Sequence, residues 1–186
     1  AQESNKISTP DKSGFKKAPE LEGIAGYINI VPEELKEKIK GKVVLYDIWT
    51  YSCINCQRTI PYITAWNEKY SEQGLVIIGI HSPEFEFEKD INNVKLAVEK
   101  FGIKYPVILD NEKKTWSAFG NNYWPRKYLA DHNGFIRYDH IGEGEYDETE
   151  KIIQQLLKER ANDLGVAIES AQPLVQIKEY KSSSQT

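Results

Sequence analysis

The 186-residue sequence contains no methionine, two cysteines and three histidines. Two cysteines are too few for a small secreted scaffold stapled by several disulfides, and there is no second cysteine pair to complete a four-ligand zinc site. His81, His132 and His140 do not fall at zinc-finger spacing. No apolar run is long enough to span a bilayer; the longest, around Val43–Tyr46 and Leu75–Ile80, have the length of strands. Excess positive charge is lacking too. A formal net charge of −4 leaves no electrostatic footprint for DNA, RNA or an anionic membrane. The missing initiator methionine fits a processed or trimmed chain. A removed export signal is the version with functional consequences, although no signal-like segment remains in the sequence.

What is present divides into three stretches. Residues 1–18 are polar, lysine-rich and nearly free of branched apolar residues, and they read as a flexible linker or tether. Residues 19–165 carry the periodic patterns of one folded domain. Residues 166–186 read as an extension, largely a tail, fraying from Tyr180 onward. Within the domain, Pro32 opens a short helix and Lys42–Trp49 is a continuous β-branched-rich strand covered on both faces. Cys56–Tyr70 is helical, with Ile60, Ile63, Trp66 and Tyr70 near one face. A second buried strand spans Leu75–Ile80. Ile91, Val94, Val98 and Phe101 mark a helix that ends at Gly102. Tyr105–Leu109 is a short extended piece and Thr115–Phe119 a short helix. Arg126–Asp131 and Phe135–Ile141 flank His132-Asn133-Gly134, a strong hairpin pattern. A last helix runs from Asp147, placed to cap it with Glu150 three residues on, to Leu164. Strands joined by helices run parallel, and the hairpin adds an antiparallel pair. The expected fold is α/β, a mixed central sheet with helices on both faces.

Chemistry concentrates in Trp49-Thr-Tyr-Ser-Cys53-Ile-Asn-Cys56-Gln-Arg-Thr-Ile-Pro61. Two cysteines three apart at a helix start bring their sulfurs together. Cys53, the more N-terminal, faces unpaired backbone N–H groups and the positive end of the helix dipole, which favours thiolate. Cys56, inside the helix, is expected to be more buried and less acidic. A structural bridge closing so short a loop gains little stability, so the pair reads as redox-active. Asp47 lies in the middle of a strand that is otherwise apolar. A buried carboxylate raises its pKa and can serve as acid or base for Cys56; the alternative is an Asp bonded to backbone or to a Lys. His81 and Glu84 follow the second buried strand and fall at the same sheet edge as Cys53. They either touch substrate and tune Cys53 or are ordinary surface-loop residues. Trp49 and Trp124 either line a groove for an extended peptide or belong to the core. Arg58 follows the pair within the first turns of the helix and either tunes it or points to solvent.

The segment WTYSCINCQRTIP, together with His-Ser-Pro-Glu-Phe-Glu-Phe-Glu (81–88) and Asn-Tyr-Trp-Pro (122–125), resembles the thioredoxin superfamily. Within it the resemblance is to the TlpA/DipZ-like extracytoplasmic thiol–disulfide oxidoreductases, and it covers about Pro19 to Leu157. It implies a thioredoxin-like three-layer sandwich for residues 19–165. By the same resemblance Cys53 is the nucleophile, Cys56 the resolving cysteine and Asp47 the buried strand acid. Pro61 is the helix-kinking proline, and Pro125 the cis-proline facing the disulfide. Ile54-Asn55 stands where thioredoxin itself has Gly-Pro. The implied activity is exchange of a dithiol/disulfide with disulfide-containing protein substrates, with reductase the expected direction and no cofactor or metal required. The implied setting is extracytoplasmic, tethered near a membrane, with a membrane electron donor of the CcdA type and a monomeric domain. Two rivals are weaker. A thiol peroxidase uses P-x-x-x-T-x-x-C; Thr50 fits that pattern, but Tyr46 occupies the proline position. A Sco-type copper-binding chaperone spaces its cysteines C-x-x-x-C, one residue more than here.

Overall fold

The computed structural model describes residues 10–167 and 173–177. Six strands form one sheet: β1 (Gly26–Ile28), β2 (Val43–Trp49), β3 (Leu75–His81), β4 (Val107–Leu109), β5 (Arg126–Ala130) and β6 (Ile136–Ile141). The helices are α1 (Leu35–Ile39), α2 (Ile54–Tyr70), α3 (Ile91–Lys100), α4 (Lys114–Ala118) and α5 (Tyr146–Leu164). The strand order is β1-β4-β3-β2-β5-β6. β2, β3 and β4 run parallel, while β1, β5 and β6 each run antiparallel to the neighbour they join. The mixed sheet read from the sequence is the one observed.

β2 and β3 are buried at every position, which is why each reads as a nearly continuous apolar run, interrupted in β2 by Asp47. Their alternate side chains feed two cores. Val43, Leu45 and Trp49 pack with Cys56, Ile60, Ile63 and Trp66 of α2 and with Ile153 and Leu157 of α5. Val44, Tyr46 and Ile48 pack on the other face with Leu35, Ile78 and Ile80. Asp47, by strand alternation, faces the first core, under α2.

Three features differ from the sequence reading. β1 has no counterpart in it; a three-residue edge strand is too short to show a period. Asp147 does not cap α5. The cap position is Glu145, in left-handed backbone (φ 50°), with no side-chain cap bond. Glu150 is not part of a capping box but a buried carboxylate. It accepts from Trp66 Nε1 at 3.1 Å, Tyr70 OH at 2.5 Å and Val175 N at 2.8 Å, and pairs with Lys69 at 3.3 Å. Residues 10–18, within the stretch read as a linker, are tied to the β5–β6 hairpin. Lys12 pairs with buried Asp131 at 3.0 Å, Ala18 N donates to Gly134 O at 2.8 Å, and Lys17 bridges Phe135. Residues 1–9 of that stretch, and 168–172 and 178–186 of the C-terminal extension, lie outside the described residues.

Candidate active site

The register aligns Trp49 of β2 with His81 of β3, and His81 with Leu109 of β4, so the three parallel strands end at one edge. The loop Thr50–Cys53 leaves this edge and turns into α2. β5 enters from the same side, because Arg126 pairs with Ile48. The cis peptide bond Trp124–Pro125 therefore lies beside the Thr50–Cys53 loop, with Pro125 buried.

Cys53 is the N-cap of α2. Its backbone is extended (φ −77°, ψ 114°) and its Sγ accepts the Cys56 N–H at 3.3 Å. The first turn of α2 contains no acidic residue, so the positive helix end is left to the sulfur. Cys53 is partly exposed and Cys56 fully buried. The Cys53 pKa is lowered to about 7. The Cys56 thiol hydrogen bond contributes most, the N–H groups of Cys56 and Asn55 add to it, and burial and the Glu84 charge oppose it. Burial pushes the Cys56 thiol far up, reinforced by its bond to Cys53 and by the Asp47 charge. Two thiols of the same chemistry are thus poised as opposites: one partly exposed and acidic, one buried and protonated.

Asp47 is 1% exposed, and neither carboxylate oxygen has a hydrogen-bond partner among the described residues. Burial raises its pKa to about 6, partly offset by Lys127. Lys127, also 1% exposed, is the direct cross-strand partner of Asp47. Its Nζ has no hydrogen-bond partner either. Burial lowers its pKa, while Asp47, Cys56 and Glu143 pull it back up. The buried group beneath Cys56 is therefore an acid–base pair, of which the sequence pattern marks Asp47 but not Lys127. Glu88 is a second residue of this kind. It is fully buried, its carboxylate bonds Thr50 and Ser52 immediately before Cys53, and it closes the 81–88 motif that also holds His81 and Glu84.

The other candidates separate. His81 is buried, not a loop residue. Its Nε2 accepts the Tyr51 N–H at 3.2 Å, and burial lowers its pKa to about 4, so the ring is neutral near pH 7. Glu84 is exposed and acts on Cys53 only through its charge. Trp49 is 1% exposed and packs its ring edge-on to His81, 5.0 Å between centroids; it belongs to the core and lines no groove. Trp124 is half-buried. Its Nε1 donates to Ser82 O at 2.7 Å and its ring packs on Trp116 at 4.1 Å. The depression beside the Thr50–Cys53 loop, about 550 Å³, is instead lined by Tyr51, Ser52, Gln57, Asn93, Leu96 and Phe101. Arg58 is exposed and reaches Glu143 at 3.5 Å, away from the sulfurs. Pro61 lies inside α2. Among the described residues no group of three or more His, Cys, Asp or Glu is placed to hold a metal ion. No helix among them is long and apolar enough to cross a membrane.

Comparison with known proteins agrees with this geometry. The Redoxin family model matches residues 17–170. Protein DipZ of Mycobacterium tuberculosis is 45% identical over 159 residues, 84% of this chain, and the chain spans only 22% of the length of that relative. The thiol-disulfide oxidoreductase YkuV of Bacillus subtilis is 29% identical over 142 residues, covering 76% of this chain and 94% of YkuV. Among solved structures, a thiol-disulfide isomerase from Corynebacterium glutamicum superposes with a TM-score of 0.67 at 26% identity. That match covers 75% of this chain and 96% of the isomerase. With its six-stranded mixed sheet and a Cys-x-x-Cys pair at the start of α2, this chain is a thioredoxin-like member of the Redoxin family.

Proposed function

We propose that the chain is a thiol–disulfide oxidoreductase acting on disulfide-containing proteins, and that it works as a reductase. One observation carries the reading: in a single Cys-x-x-Cys pair, Cys53 caps α2 with its partly exposed sulfur on the Cys56 N–H, while Cys56 is fully buried, an arrangement that lowers the Cys53 pKa to about 7 and pushes Cys56 up. Near neutral pH Cys53 is about half thiolate. Its sulfur attacks one sulfur of the substrate disulfide. A Cys53–substrate bond forms, the substrate S–S bond breaks, and the first substrate thiolate leaves and takes a proton from water. Cys56 then attacks Cys53. Its S–H proton passes to the Asp47 carboxylate, directly or through one water, the Cys53–Cys56 bond forms, and the second substrate thiolate leaves. The substrate gains two electrons and the pair loses two.

Asp47 suits this step because a pKa of about 6 leaves it mostly ionised near neutral pH yet basic enough to hold the proton. The Lys127 ammonium beside it keeps that carboxylate charged in an apolar setting. Pro125 and Trp124, at the edge where β5 begins, are read as the surface against which the substrate strand lies. His81, Glu84 and Arg58 are not assigned chemical steps.

The setting is proposed on the likeness to DipZ. The domain functions outside the cytoplasm, tethered near a membrane and monomeric, and a membrane conduit of the CcdA type re-reduces it. The test of the activity is insulin reduction in the presence of dithiothreitol, followed by precipitation of the free B chain. Wild type is expected to accelerate precipitation, and Cys53→Ser to abolish the acceleration. Equal activity of Cys53→Ser and wild type would refute the proposal.

A further inference from the structure

The chemistry above leaves most of the segment His81–Glu88 unused, yet this segment grips every residue leading into Cys53. Trp49 O accepts the Ser82 N–H at 2.9 Å. Thr50 Oγ1 bonds Glu88 Oε2. Tyr51 N–H donates to His81 Nε2 at 3.2 Å, and the two rings stack, 5.7 Å apart and 18° from parallel. Ser52 Oγ donates to Glu88 Oε2 at 3.0 Å. The other Glu88 oxygen, Oε1, accepts the N–H groups of Glu84 and Phe85 at 3.0 and 2.8 Å. One carboxylate thus joins two loops, with two bonds from each.

Glu88 and His81 are both fully buried. Burying a carboxylate costs several kcal/mol unless its lone pairs are filled, and here four donors fill them. Burial pushes the Glu88 pKa up, but the bonds from Thr50, Phe85, Ser52 and Glu84 outweigh that, and the group stays below the usual carboxylate range. The geometry it holds is exacting. The Cys53 sulfur must meet the N–H groups of α2 within a few tenths of an ångström, and Cys53 takes its backbone position from the three residues before it.

We propose that Glu88, assisted by His81, is a positioning residue: it clamps Thr50–Ser52 so that the Cys53 sulfur stays aligned with the N-terminus of α2. This rests on Cys53 being the nucleophile. Glu88 touches neither sulfur and acts only through the loop.

The charged and titratable groups around these sites fix the sign of the test. Cys53 faces Cys56 from α2 and Glu84 from the loop after β3. Behind Cys56 lie Asp47 of β2 and Lys127 of β5. Glu88 faces His81 of β3 and Tyr51 of the catalytic loop. Deleting the Glu88 charge alone would ease ionisation of Cys53. Releasing the clamp would weaken the N–H contacts and make ionisation harder. The two roles therefore move the Cys53 midpoint in opposite directions.

The experiment is the pH dependence of Cys53 alkylation by iodoacetamide, read by peptide mapping, in wild type, Glu88→Gln, Ser52→Ala, Thr50→Val and Glu150→Gln. Glu150 is the control: an equally buried, equally bonded carboxylate that ties α2 to α5 through Trp66 and Tyr70 and does not touch the catalytic loop. Wild type is expected to show a midpoint near 7. Glu88→Gln should raise it by about one unit, a roughly five-fold loss of thiolate at pH 7. Ser52→Ala and Thr50→Val should raise it by less, and Glu150→Gln should lower thermal stability without moving it. An unmoved or lowered midpoint in folded Glu88→Gln overturns the clamp. Should Glu88→Gln fail to fold, unmoved midpoints in both Ser52→Ala and Thr50→Val overturn it equally. A wild-type midpoint at the ordinary thiol value of about 8.5 would instead strike the assignment of Cys53 itself.

Discussion

Cys53 and Cys56 show how far position alone can separate two identical side chains. One turn of helix moves a thiol from an N-cap, where backbone donors meet it, into a core where nothing solvates its anion. In the reduced protein at pH 7, iodoacetamide should therefore modify Cys53 first, with Cys56 protected; mapping the alkylated peptide checks this, and preferential labelling of Cys56 would reverse the roles. Asp47 gives a second prediction at this scale. Its folded pKa of about 6 lies above the unfolded value of about 3.9, so the native state binds more protons between those values. Stability is accordingly lost as pH rises from about 4 to about 6, by up to about 3 kcal/mol. Asp47→Asn removes the titration. In urea unfolding, the stability of the variant relative to wild type should grow from pH 4 to pH 7 and then level off. In the same variant, resolution of the mixed disulfide should slow by about 100-fold, while the first attack by Cys53 changes little. A pH-independent stability difference, or a resolving step at the wild-type rate, would remove Asp47 from the mechanism. The cysteines and Asp47 were legible in the sequence because a thiol pair at helix spacing, and a carboxylate in an apolar strand, are anomalies in themselves. Lys127 and Glu88 were not. Lys127 sits beside Arg126 in a short strand, on the face where Leu129 packs with residues of α2 and α5, a burial no local pattern shows. Glu88 is the third glutamate of an alternating Glu-Phe run, and only the one-turn helix Glu86–Lys89 turns it inward.

At the scale of elements, local pattern and tertiary burial agreed wherever an element was long. β2, β3, α2, α3 and the β5–β6 hairpin fall within a residue or two of where the periodicity puts them. The failures have one cause, contacts distant in sequence. β1 exists because three residues find the edge of β4, some eighty positions on. Asp147 and Glu150 match a capping pattern, but Glu150 is drawn inward by Trp66 and Tyr70 from across the core. Residues 10–18 lack the apolar content to order themselves, and the Lys12–Asp131 ion pair and hydrogen bonds to the hairpin do it instead. The buried tie between α2 and α5 yields a prediction of its own. Glu150→Ala removes the acceptor of the Trp66 indole N–H, the Tyr70 O–H and the Val175 amide, and it should cost about 3–5 kcal/mol in urea unfolding. A loss below about 1 kcal/mol would mean that α5 is held by its apolar stripe and its other polar ties, such as Arg137–Glu159, and not by Glu150.

For the whole molecule, the sheet order decides the function. The carboxyl ends of β2, β3 and β4 meet the start of β5 at one edge, and the two cysteines, Pro125 and the His81–Glu88 loop collect there. The reducing direction proposed above is favoured by the balance of charge at that edge. Ile54 and Asn55 between the cysteines are uncharged, Arg58 is turned to Glu143, and Asp47 opposes thiolate formation nearby. A Cys53 pKa of about 7 is far from the about 3.5 that makes a strong oxidant. Equilibration against glutathione buffers should accordingly give a potential close to the about −270 mV of thioredoxin, and a value near the about −120 mV of DsbA would reverse the direction while leaving the thiol chemistry in place. The most direct test of that chemistry is a trap. Reduced Cys56→Ser protein is mixed with a disulfide-bonded protein and analysed by non-reducing mass spectrometry with peptide mapping. The expected result is a covalent adduct joined at Cys53 that accumulates because nothing resolves it. No adduct, or an equal yield of adduct on Cys56 in the reciprocal Cys53→Ser protein, would contradict the division of labour between the two cysteines.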